Sequence, residues 1–179
     1  MSIRVERDAD RAAVLDLHRA AFGDHGDVVV ALVDALRDAD GAVSLVDDDE
    51  GAGVIGHVML STALLDTPRR LVTISVLSPL AVVPNRQRSG TGTRLVRAAL
   101  AAAEGRRVAM VVLEGSPRYY ARFGFRPGGS LELRRPSLRI PPEAFQAVSL
   151  TTFEPWMTGT VVYPDAFWRV DAVGLREAA

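Results

Sequence analysis

The sequence predicts an α/β protein, a mixed sheet with helices packed against it, and three observations carry that expectation. Strand-like and helix-like segments follow one another along the chain. Residues 80–103 (LAVVPNRQRSGTGTRLVRAALAAA) pass from an apolar run, through a polar turn containing glycines, into a segment with apolar residues at Leu95, Val96, Ala99, Leu100 and Ala103. With 179 residues, 48% of them hydrophobic and 24% charged, the chain is long and apolar enough for one substantial core. A single domain over residues 1–179 is therefore expected, with 127–179 forming C-terminal strands and a tail.

Composition narrows the chemistry. No cysteine is present, which removes disulfides, thiolate metal sites and a cysteine acyl-enzyme. All 21 basic residues are arginine, so lysine Schiff-base chemistry is also absent. A net charge of −1 argues against a general nucleic-acid or anionic-membrane surface, while leaving room for a local arginine patch around one phosphate ligand. No apolar run approaches the length of a membrane span, and the first ten residues are too charged for a signal peptide, so a cytoplasmic protein is expected.

In order, residues 2–6 alternate Ile3 and Val5 with polar neighbours, as a first strand would. Asp8 or Asp10 can cap a helix with an apolar stripe of Ala13, Val14, Leu17, Ala20 and Ala21, ending at Phe22-Gly23. A second helix over 27–38 turns Val29, Leu32, Val33 and Leu36 inward. Residues 42–46 suit a second strand, and the acidic run 47–51 suits a solvated hairpin tip, since it lacks the alternating spacing and distal glutamate of a calcium loop. Residues 54–64 and 71–83 form two long strands, and Pro79 predicts a bulge in the second of them. Residues 107–114 suit a buried strand, and Ser116-Pro117 the capped start of a helix. Strands at 145–153 and 158–162 complete the set. Phe153, Trp156, Tyr163, Phe167 and Trp168 then either close the core or wall a substrate.

The turn at 85–92 can present several backbone N–H groups, with the positive end of a helix dipole behind them, to one anion. Such a turn also occurs in α/β folds without any ligand. A Walker loop is excluded by the missing lysine, and a dinucleotide fingerprint by Arg94-Leu95, which stand where its third glycine would follow. The run Gln87-Arg88-Ser89-Gly90-Thr91-Gly92 resembles the Q/R-x-x-G-x-G/A motif of the GNAT superfamily of N-acetyltransferases, and residues 80–84 are similar to the strand ahead of it. Tyr119-Tyr120-Ala121-Arg122-Phe123-Gly124-Phe125 resembles that family's second signature, a tyrosine followed by a short basic segment and Gly-Phe. Together with Gly56-His57, Pro79 to Val82 and the C-terminal tail, these features resemble a bacterial YhbS-like branch. Two departures are Ser116, where that pattern carries Asp, and Asn85-Arg86, which replaces an acidic-aromatic pair.

The resemblance implies a three-layer fold with a mixed sheet of six or seven strands, splayed between the fourth and fifth. It implies acetyl-CoA as cosubstrate, its pantetheine arm pairing with the backbone of Leu80, Ala81 and Val82, and its pyrophosphate held by Gln87, Arg88, Ser89, Gly90, Thr91, Gly92 and Thr93. Tyr120 falls on the position that protonates the departing thiolate, although a core aromatic is the alternative there. Glu114, ending the fifth strand near the expected cleft, is the first candidate for the base that takes the amine's proton. His57 is expected to be a hydrogen-bonded structural residue, and it forms no metal-ligand spacing with His18 or His25. The expected reaction is direct transfer of acetyl to a primary amine of a small molecule or peptide, with a non-catalytic acyl-CoA sensor as the alternative. The expected partners are acetyl-CoA and the acceptor, with no nucleic acid or membrane, and a homodimer is an open state of assembly.

Overall fold

The computed structural model describes residues 2–176. Strands β1 (Ser2–Val5), β2 (Val43–Asp49), β3 (Gly53–Asp66) and β4 (Leu71–Val82) pair antiparallel in succession, and β5 (Met110–Glu114) joins β4 in parallel. Two short strands follow, β6 (Arg126–Pro127) and β7 (Leu133–Arg134), then β8 (Phe145–Ser149) and β9 (Gly159–Val162). The order across the sheet is β1-β2-β3-β4-β5-β8-β6, with β9 bonded to the far end of β3 and to β7. Nine strands form where six or seven were expected, and the two extra ones are the two-residue pairings β6 and β7. The C-terminal segment is thus built into the sheet at two separate places, beside β5 and beside β3.

Helices α1 (Arg11–Phe22) and α2 (Gly26–Arg37) cover one face, burying Val14, Leu32, Val33 and Leu36 in one core cluster. Helix α3 (Thr91–Gly105) covers the other and buries Leu95, Val96, Ala99 and Ala103. Each stripe follows the 3.6-residue period, so each helix presents one apolar side to the sheet. The one-turn helix α4 (Pro117–Tyr120) and the short α5 (Asp165–Arg169) complete the layers. Ala13 and Ala20, assigned to the apolar stripe, are exposed, and His18 takes a buried place on that face instead. Ser116 sits at the start of α4, but its side chain makes no capping bond; its backbone carbonyl accepts from Tyr119 and Tyr120.

The acidic run departs most from expectation. Asp47, Asp48 and Asp49 lie within β2 and not in the turn beyond it. Asp47 is fully buried and accepts from Arg94 Nε at 3.0 Å, Arg94 lying on α3. Asp48 pairs with Arg4 at 2.7 Å and Asp49 with Arg86 at 3.1 Å. Three separate cations answer three carboxylates, which is why the run joins a strand.

Candidate active site

β4 and β5 are bonded at only two positions, Ser75 to Val111 and Val76 to Val112. Beyond them the strands diverge. On its other edge β4 stays paired with β3, but the register slips where Val58 faces Leu80 and Leu60 faces Leu77. Ser78 and Pro79 therefore form a bulge in β4 at the place the proline predicts. Val83 N–H donates to Ile55 of β3 at 3.0 Å. Strand alternation then turns the N–H and C=O of Ala81 toward β3 and those of Leu80 and Val82 into the cleft. The Val82 carbonyl accepts from Gln87 Nε2 at 3.2 Å, which fixes the loop against the strand end.

A groove runs from this strand edge to the start of α3, lined by Leu80, Ala81, Val82, Gln87, Arg88, Gly90, Gly92, Thr93, Tyr119 and Arg122. Gly90 precedes the helix in the left-handed region at φ 90°, where a side chain would be strained. The first turn of α3 carries no side-chain cap, so its N–H groups are presented to the groove. Gly92 is needed for a different reason: a Cβ there would collide with the Tyr119 hydroxyl. Arg88 and Arg122 bring positive charge to the groove, and the Arg122 guanidinium lies 5.0 Å from the Tyr119 ring centroid. The side chains of Ser89 and Thr91 hold the loop itself, Ser89 Oγ lying 3.1 Å from Thr91 Oγ1. Tyr119 spans groove and cavity; the doubled tyrosine of the second signature is the sequence signal for it.

On the opposite side of the cleft lies a cavity of about 350 Å³ that shares Leu80 and Tyr119 with the groove. Both Tyr120 and Glu114 line it. Tyr120 packs edge-on against Tyr119 and Phe125, at centroid distances of 4.8 and 5.7 Å, and its burial raises the phenol's pKa, so it stays protonated as a proton donor must. Glu114 accepts from Gly174 N–H at 3.1 Å, a bond made by the C-terminal tail. Burial pushes its carboxyl up to about 7, against the smaller opposing effects of that bond and of Tyr163 and Arg139. A carboxyl near neutrality can take up and release protons at working pH. The buried Tyr163 hydroxyl lies next to the Glu114 carboxyl and acts on it as a donor. Phe22, Tyr163, Phe167 and Leu175 also face this cavity. The aromatic cluster of the C-terminal sequence pointed to two of them, Tyr163 and Phe167, while nothing marked Leu175.

His57 lies elsewhere, on β3 and fully buried. Its Nδ1 is 2.7 Å from His18 Nε2 and its Nε2 is 2.8 Å from Ser44 Oγ. Ser44 donates to Glu6, which also accepts from Arg37 Nη2 at 2.6 Å. Burial lowers both histidines, His18 to about 3, so the pair is neutral. This is the structural role expected for His57. Among the described residues no group of three or more His, Asp or Glu could hold a metal ion, and no helix is long and apolar enough to cross a membrane.

A splayed parallel pair with a bulged strand, a glycine loop at a helix start and a tyrosine after the fifth strand together define an acyl-CoA transferase architecture. The acetyltransferase (GNAT) domain model matches residues 2–128, and the chain belongs to the GNAT acetyltransferase family. It is similar to YhbS, a GNAT family N-acetyltransferase from Escherichia coli solved in complex with CoA, with TM-score 0.82 and 31% identity over 94% of this chain and 92% of that one. A GNAT family acetyltransferase from Brucella melitensis, solved with acetyl-CoA, matches with TM-score 0.67 and 31% identity over 93% of this chain and 97% of that one. The uncharacterized N-acetyltransferase YjhQ of Escherichia coli K12 is 31% identical over 121 residues, 66% of this chain and 66% of that protein.

Proposed function

We propose that this protein is an N-acetyltransferase that moves acetyl from acetyl-CoA to a primary amine by direct attack. One observation carries the reading: a backbone-lined groove and a carboxyl-bearing cavity meet at Leu80 and Tyr119, where β4 and β5 part. Acetyl-CoA lies along the groove, its pyrophosphate on the N–H groups of residues 88–93 and its pantetheine arm bonded to Leu80 and Val82 as an added strand. The bound relatives from Escherichia coli and Brucella melitensis support that placement. The acceptor enters the cavity as an ammonium and gives its proton to Glu114. The neutral nitrogen forms a C–N bond to the thioester carbonyl, the C–S bond breaks, Tyr120 delivers a proton to the departing sulfur, and the second proton shed by the nitrogen restores Tyr120. The products are the N-acetyl amine, CoA thiol and one proton released to solvent.

Because the cavity draws on Glu114 before residue 128 and on Tyr163 after it, the reading treats residues 1–179 as one catalytic domain. A cytoplasmic place follows from the cosubstrate. The first test is calorimetric titration with acetyl-CoA and with desulfo-CoA. Micromolar binding of both is the expected result, and Gly90→Val should weaken it about tenfold through backbone strain at the helix start. If neither ligand binds the wild type, the groove is not a CoA site.

A further inference from the structure

We infer that the acceptor is a small monoamine with an apolar, arylalkyl body, held at its nitrogen by Glu114 and Tyr163. The inference rests on the acetyltransferase reading and goes further, because it names what occupies the cavity on the far side of the thioester.

Among the described residues the cavity is lined by a single charged side chain, Glu114. Its carboxylate uses one acceptor position on Gly174 and has others left over. Tyr163, only 3% exposed, brings a hydroxyl to the same end, close enough to the Glu114 carboxyl to act on it as a donor. A carboxylate with acceptor positions left over marks where a polar donor of the ligand belongs. A carboxylate and a hydroxyl side by side fit one ammonium group, the first accepting and the second free to accept as well. Much of the rest of the wall is of another kind: Phe22, Leu32, Leu77, Phe167 and Leu175 offer only carbon, while Ser78, Ser116, Tyr119 and Tyr120 add neutral hydroxyls. Among the described residues no arginine faces the cavity to meet a ligand carboxylate or phosphate, and no second acid to meet another ammonium. A polyamine or an aminoglycoside would leave charges unpaired against apolar carbon, whereas an aromatic ring would bury its faces there. A volume of about 350 Å³ stands at the small end for ligand sites, which favours a compact molecule.

The tail sets the limit. Ala172 and Leu175 form one side of the cavity, and Gly174 between them holds Glu114. The same stretch, residues 172–175, therefore orients the carboxylate and shapes the apolar wall. Leu175 is 37% exposed, so its side chain can be exchanged without opening the core.

The test measures CoA thiol release with acetyl-CoA and a panel of phenethylamine, tryptamine, spermidine, kanamycin, free lysine and a tetrapeptide with N-terminal phenylalanine. Calorimetry of phenethylamine with the protein saturated by desulfo-CoA gives a reading independent of turnover. Phenethylamine or tryptamine should exceed every other member at least tenfold in kcat/KM. Tyr163→Phe should raise KM for the arylalkylamine about fivefold with kcat little changed, as loss of one hydrogen bond to the bound nitrogen requires. Leu175→Asp should lower kcat/KM for phenethylamine and raise it for spermidine, since it places a second carboxylate on the cavity wall. Preference for spermidine, kanamycin or lysine by the wild type overturns the inference, as does preference for the tetrapeptide. Binding of acetyl-CoA without binding or turnover of either arylalkylamine overturns it and leaves the CoA groove intact. Failure to bind acetyl-CoA overturns this inference together with the transferase reading.

Discussion

Two buried glutamates in this fold are driven in opposite directions, and the contrast separates a structural site from a chemical one. Burial would raise Glu6, yet bonds from His57, Arg37 and Ser44 outweigh it and hold its carboxyl down at about 2. Burial likewise raises Glu114, and there the one backbone donor from Gly174 is too little, so the carboxyl rests near 7. At neutral pH Glu6 is a fixed charge that ties β1, α2, β2 and β3 together. Glu114 is a carboxyl short of donors in a cavity, and the missing donors are what a ligand can supply.

The largest effect should come from breaking the saturated site. Glu6→Ala leaves Arg37, whose side chain is 7% exposed, with Asp34 alone among the described residues to answer it, and strips Ser44 of an acceptor. Loss of one partner from such a pair costs about 3 kcal/mol or more, read as a fall in Tm of roughly 6–12 °C for a chain of this size. Acetyl-CoA affinity of the folded fraction should not change. A Tm within 2 °C of the wild type would mean that the network contributes little.

Second comes Tyr120→Phe. Its effect should be confined to the chemical region, with kcat down about ten- to a hundredfold, acetyl-CoA affinity nearly unchanged and Tm hardly moved. Equal loss of binding and rate would assign Tyr120 to the groove wall and remove its proton.

How far each region was legible depends on how far apart its parts lie in the chain. The groove is almost local. Residues 80–93 carry its strand edge, glycines and N–H groups, so one short motif stated it, and the two-signature resemblance placed the tyrosines beyond it. Pro79 announced its bulge because a missing donor has one consequence in a strand. The acidic run misled, since nothing near Asp47 in sequence reveals Arg94, 47 residues on and one layer away. The cavity was the least legible, because Phe22, Glu114, Tyr163 and Leu175 converge only after the C-terminal segment has folded back onto β3 and β5. Glu114 could be nominated from its place at a strand end, but the tail that bonds its carboxyl could not.

The smallest effect tests that raised pKa directly, and its sign is opposite to that of most substitutions in a site. A carboxyl whose folded value of about 7 exceeds its ordinary 4.5 binds its proton more tightly in the native state. Its contribution to stability is then complete below 4.5, declines as pH rises from 4.5 to about 7, and stays lost above. Glu6 runs the other way: its contribution is complete above 4.5 and is lost as pH falls toward about 2. Glu114→Gln keeps an oxygen for Gly174 N–H and carries no charge to desolvate. At pH 8.5 this variant should melt about 2–4 °C higher than the wild type while transferring acetyl far more slowly, and at pH 4.5 the two should melt together. A gap of the same size at both pH values would mean that packing and not ionisation separates them, and Glu114 would lose its standing as the group that titrates in the cleft.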